Sequence, residues 1–92
     1  MRGMELHFEV IRDREAIFAE LLHSQSLGDQ LAVCYNRGGK LIVKICVVTD
    51  IVRGIDGEVV TLRSELNDAT TEDKVEMDCI VSIYPKIGRA HV

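Results

Sequence analysis

The chain has 92 residues, 47% of them apolar, with 15 acidic against 11 basic side chains and a formal net charge of −4. That length makes one domain, and that apolar share is too high for a disordered chain. The acidic balance argues against a general electrostatic grip on nucleic acid, and the lack of any run of about 18 apolar residues argues against a membrane-spanning helix.

At the N-terminus, Leu6, Phe8 and Val10 alternate with Glu5, His7 and Glu9, the period of a half-buried strand. Asp13 offers a helix N-cap, and Glu15 puts a negative charge in the first turn, where the helix dipole favours it. Ile17, Leu21 and Ser24 form one stripe, widened by Phe18 and Leu22, so a helix is predicted from Asp13 to about Ser26 with Gly28 as its C-cap. From Leu31 the residues are mostly β-branched. Leu31–Tyr35 reads as a strand that ends in the hairpin turn Asn36-Arg37-Gly38-Gly39, and Leu41–Val52 as a long strand that must bend. Gly54–Gly57 reads as a second tight turn and Val59–Leu66 as a third strand, whereas Asn67–Asp73 is polar and reads as a loop. Val75, Met77, Cys79, Val81 and Ile83 alternate over a last strand that stops at Pro85.

The predicted fold is therefore α+β: an N-terminal strand and helix, then a four-stranded antiparallel meander forming a bent sheet or small barrel. One domain is expected over residues 1–86. The last six residues, Ile87-Gly88-Arg89-Ala90-His91-Val92, match what a common sequencing-adapter read encodes. They read as a non-native or frayed tail, and no function is assigned to Arg89 or His91.

Little in the chain has the spacing of reaction chemistry. His7, His23, Cys34, Cys46 and Cys79 include no C-x-x-C or H-x-x-x-H pair, the spacing that brings two ligands round one zinc ion. The cysteines stand among Val, Ile and Met, where a thiol behaves as a small hydrophobe rather than an activated nucleophile. Asn36–Lys40 lacks the spacing and following helix of a phosphate loop. No catalytic residue, metal or cofactor is expected. Three cysteines cannot complete a disulfide framework, and the first ten residues lack the apolar stretch of a secretory signal, so a reduced cytoplasm is the expected compartment.

Two charged sets remain as candidate contact residues. The basic set, Arg37, Lys40, Lys44, Arg53 and Arg63, lies in the meander and would serve RNA if it shared one face. The acidic run Glu65, Asp68, Glu72, Asp73, Glu76 and Asp78 reads as a solvated loop and strand face, or as a docking surface for a basic partner. Asp50 and Asp78, each beside an apolar run at an expected bend, read first as acceptors for backbone N–H groups.

The layout resembles the Sm-like small barrels, and within them the bacterial Rof family of inhibitors of Rho-dependent transcription termination. The residues that carry the resemblance are Val48-Thr49-Asp50-Ile51, at the end of the long strand, and Met77–Pro85, with its Asp78-x-Ile80-x-Ser82 pattern. It implies a protein that acts by occupying a basic partner such as Rho. The partner-binding residues would then lie near the N-terminus and helix, where this chain has Glu5, Glu9, Asp13, Glu15 and Glu20. The function expected is that of a non-enzymatic binding module, a regulator acting through protein–protein contact in transcription or RNA metabolism. Direct RNA binding through the basic set is the alternative.

Overall fold

The helix α1 (Arg14–Leu27) begins and ends where the sequence provides caps. The Asp13 carboxylate accepts from the Ala16 amide at 3.0 Å. Gly28 takes a left-handed φ of +76°, which turns its N–H back to the Ser24 carbonyl at 2.7 Å. The computed structural model describes residues 10–66 and 69–85. The opening strand as predicted therefore lies outside the described residues at Leu6–Glu9, as does the predicted tail. At its edge, Ile11 forms an isolated antiparallel bridge with Ile83, with N···O distances of 2.8 and 2.9 Å.

Five strands follow the helix: β1 (Leu31–Arg37), β2 (Lys40–Gly54), β3 (Gly57–Leu66), β4 (Ala69–Glu76) and β5 (Ile80–Pro85). They form an antiparallel sheet in the order β4-β3-β2-β1-β5. Gly38 and Gly39, with φ of +60° and +81°, make the two-residue turn between β1 and β2, a backbone that suits the twist of a hairpin and that other residues enter with strain. The long strand β2 serves two ladders in succession. Lys40–Cys46 pairs with β1, and Val47–Gly54 pairs with β3. Near the changeover Thr49 is an extra residue between the pairs Val48↔Leu62 and Asp50↔Thr61, and its hydroxyl donates to the Thr61 carbonyl at 3.5 Å. Such a bulge bends its strand, as the length of Leu41–Val52 had required.

The predicted meander needs two corrections. Of the segment read as a loop, residues 69–73 belong to β4, which pairs with β3 from Leu66↔Ala69 to Val59↔Glu76. Polar composition hid the strand, because β4 is a sheet edge that buries little besides Val75. The predicted last strand is in fact two elements, since the chain leaves β4 through a 3-10 turn at Met77–Cys79 before entering β5. The turn resets the parity, and the register slips again between Cys34↔Ser82 and Tyr35↔Ile80. Val81 is left over and half-exposed, while Ile80, Ser82 and Ile83 are buried. The count is thus five strands rather than four. Among the described residues no ladder joins β4 to β5, so the bent sheet is open.

The concave face holds the core. Leu31, Val33 and Tyr35 of β1 stand beside Cys46 and Val48 of β2 and Val60 and Leu62 of β3, with Val75, Met77, Ile80 and Ile83 completing the cluster. Helix α1 covers it with Ile17 and Leu21, packed on β2 and β5. Ser24 sits in the same stripe, fully buried. Its hydroxyl donates to the Asp29 carbonyl at 2.6 Å and accepts from the Val48 amide at 3.1 Å. A buried polar group is tolerated when it is bonded in this way, and here the bonds also tie the last turn of the helix to the residue before the bulge.

Candidate interaction surface

Strand parity decides where each candidate residue points. The register sets Leu31, Val33, Tyr35 and Arg37 of β1 opposite Cys46, Lys44, Ile42 and Lys40 of β2, all on the concave face. Arg37, Lys40 and Lys44 are therefore brought to one side of the β1–β2 hairpin. Two of the three are engaged by a single carboxylate. Asp73 of β4 accepts from Arg37 Nη1 at 2.8 Å at each of its oxygens and from the Tyr35 hydroxyl at 2.7 Å, with Lys44 Nζ 3.6 Å away. Arg37 also donates from Nη2 to the Lys74 carbonyl at 3.0 Å and lies 5.4 Å from the centre of the Tyr35 ring.

The electrostatics of this cluster follow from its contacts. Burial alone would raise the Asp73 carboxyl. The hydrogen bonds from Tyr35 and Arg37, with the charges of Arg37 and Lys44, outweigh that effect and hold it below the usual carboxylate value. Burial, then the bond to Asp73 and its negative charge, push the Tyr35 phenol up to about 12. The bond to Asp73 raises the Arg37 guanidinium further.

The remaining basic residues lie elsewhere. Arg53 is cross-strand from Glu58 at the β2–β3 hairpin and donates to it at 3.1 Å. Arg63 pairs with Val47 and Glu72 on the convex face. The basic set is thus divided between one concave patch and two separate positions. The acidic set is divided as well. Glu9 lies outside the described residues, and the Asp13 carboxylate is engaged as the helix cap. Glu15 and Glu20 are about 140° apart around the helix at 3.6 residues per turn, so they do not share one face. Asp78 does not cap a backbone amide as expected. The 3-10 turn has no side-chain cap bond, and Asp78 accepts from Arg14 of the helix instead. Arg14 also lies 3.9 Å from Glu58. Arg14 and Arg53, with Glu15, Glu58, Phe18 and Met77, line a shallow depression of about 320 Å³.

The most exposed apolar row was not singled out in the sequence. Leu41, Val43 and Ile45 alternate with the concave residues of β2, so they point outward, 63%, 62% and 60% exposed. Within Lys40–Cys46 the backbone pairs only with β1 among the described residues, because the β2–β3 ladder starts at Val47↔Arg63. Beyond that point the strands part. They leave a cleft of about 670 Å³, walled on one side by Val43, Lys44 and Ile45 and on the other by Ser64, Glu65, Ala69 and Thr71. An apolar strand with an unpaired edge is a ready template for another strand. The sequence reads Leu41–Val52 as one long strand and does not say which of its residues are covered. Only the fold shows that alternate residues of its first half have no described residue over them.

Burial pushes the Cys46 thiol up to about 11 against the opposing charge of Lys44, which makes it a poor nucleophile. Among the described residues no group of three or more His, Cys, Asp or Glu is placed to hold a metal ion, and no helix is long and apolar enough to cross a membrane. Comparison with protein-family models, curated proteins and solved structures returns no match.

Proposed function

We propose that the chain is a non-enzymatic binding module that works through protein–protein contact, as a regulator in transcription or RNA metabolism. The observation that carries this reading is the row Leu41, Val43 and Ile45, exposed beside strand backbone that is unpaired among the described residues. Main-chain pairing at such an edge, with alternate side chains for selectivity, is a standard mode of peptide recognition. The charge pattern points the same way, since Arg37, Lys44 and Arg53 already face intramolecular carboxylates. On this reading the nearest functional analogy is the Rof family, whose members occupy Rho. Glu15 and Glu20 remain as the acidic contact residues for such a basic partner.

A purified Rho-dependent termination reaction tests the analogy. Added protein is expected to raise read-through in proportion to its molar ratio to Rho. Unchanged termination at a large excess would remove Rho as the partner.

Direct RNA binding is the second reading, favoured by the shared concave placement of Arg37, Lys40 and Lys44. Retention of single-stranded RNA that falls steeply with salt, and that weakens in Lys40→Ala and Lys44→Ala, would support it. No retention at low salt ends it.

A further inference from the structure

We infer that the strand edge exposed on β2 pairs with the same edge of a second copy, giving a two-fold antiparallel dimer centred on Val43. The inference rests on the protein-contact reading above and names the partner.

Among the described residues the unpaired window is bounded on both sides. It begins at Lys40, directly after the Gly38-Gly39 turn, and ends at Cys46, since β3 takes over from Val47. The midpoint of Lys40–Cys46 is Val43, so two copies related by a two-fold axis there use the whole window and nothing outside it. A closed symmetric contact of this kind requires a patch that complements itself.

Charge selects the same register. About Val43, the convex rungs are Leu41 against Ile45, Val43 against Val43 and Ile45 against Leu41, all apolar. On the concave face Lys44 stands opposite Ile42, and Lys40 opposite Cys46. Moving the axis one residue toward the N-terminus sets Lys40 against Lys44, and moving it one residue the other way sets Lys44 against its own copy. Like charges directly opposite each other destabilise a strand pair. The Val43 axis avoids both arrangements and places all three exposed apolar side chains in contact across the edge. Such a contact is smaller than the ~800 Å² per partner of a standard interface, so the dimer forms weakly and grows with concentration.

Sedimentation of the full chain from about 10 μM to about 1 mM reads this directly as a rise in average mass with concentration. Val43→Lys and Val43→Glu each place two like charges on the axis and are expected to stay monomeric throughout. Mixed in equal amounts, the two variants are expected to recover a dimer, because Lys then faces Glu. Val52→Lys, at an exposed side chain of β2 beyond the window, leaves association unchanged. A chain that stays monomeric at every concentration overturns the inference, and so does a dimer that Val43→Lys leaves intact. If the chain is monomeric while binding to a heterologous partner is still lost in Val43→Lys, the protein-contact reading stands and only the second copy is excluded. If neither self-association nor partner binding responds to Val43, both fail.

Discussion

Tyr35 of β1 donates its phenolic hydroxyl to Asp73 of β4 across 2.7 Å, joining two strands that share no backbone ladder. β1 and β4 are separated in the sheet by β2 and β3, so the bond spans the concave face rather than running along it. With Arg37 on the same carboxylate, it supplies by side chains part of the closure that the open sheet lacks by main chain.

Replacing Asp73 by Ala should therefore destabilise the fold by about 1–3 kcal/mol, because it leaves a buried phenol without an acceptor. Urea unfolding measures this. Tyr35→Phe removes the donor as well as its unmet need and should be milder, at about 1 kcal/mol. A larger loss for Tyr35→Phe than for Asp73→Ala would contradict the latch.

The same carboxylate gives the fold an acid-side dependence. The Asp73 carboxyl is held low in the folded state, so the unfolded chain binds more protons as pH falls. The stabilisation is present above the ordinary carboxylate value near ~3.9 and is lost as pH drops through the lower folded value. Unfolding midpoints measured down the acid limb should fall less steeply in Asp73→Asn than in the natural chain.

Tyr35 predicts the opposite behaviour at high pH. The chain has two tyrosines, so Tyr84→Phe leaves Tyr35 as the sole phenol. Its phenolate absorbance should then appear with a midpoint at about 12, rather than near the ordinary ~10. Between those values the unfolded state has already lost its proton and the folded state has not, so stability should decline as pH rises through that window. A midpoint near the ordinary value would show that Tyr35 is not held in the way described.

Ser24→Ala should cost about 1–3 kcal/mol by leaving the buried Val48 amide without its side-chain acceptor. Hydrogen exchange localises the effect: the Val48 amide should lose protection more than its β2 neighbours do.

Thiol reagents should divide the cysteines. Cys34 and Cys79 are half-buried and should react in the folded protein. Cys46, buried and with its thiol pushed up to about 11, should react only as fast as the chain unfolds. Three equal rates would refute the placement of Cys46 in the core.

Much of the fold was legible because local chemistry specifies it. Asp13 and Gly28 bracket the helix, Gly38-Gly39 forces a hairpin, and the length of Leu41–Val52 demands a bend. What escaped depends on tertiary context. β4 is a polar edge that a neighbouring ladder makes into a strand, so its composition shows no period. The alternation from Val75 to Ile83 was real but crossed a 3-10 turn, and a period of two carries no information about a break that resets it. The candidate site was less legible still. Asp73 looked like one acid among several, and its meeting with Tyr35 and Arg37 spans more than thirty-five residues of sequence. Leu41, Val43 and Ile45 drew no notice, because nothing local tells a covered strand face from an open one.

Thr49 carries a last consequence. As the residue in excess between Val48↔Leu62 and Asp50↔Thr61, it can be deleted without changing which side chains face inward on either side of it. Curvature in this sheet is thus written separately from pattern. A relative lacking that residue would align across β2 with a single gap and keep every core position, yet fold into a flatter sheet. The width of the cleft between β2 and the β3–β4 hairpin would then evolve by insertion and deletion at one codon rather than by substitution.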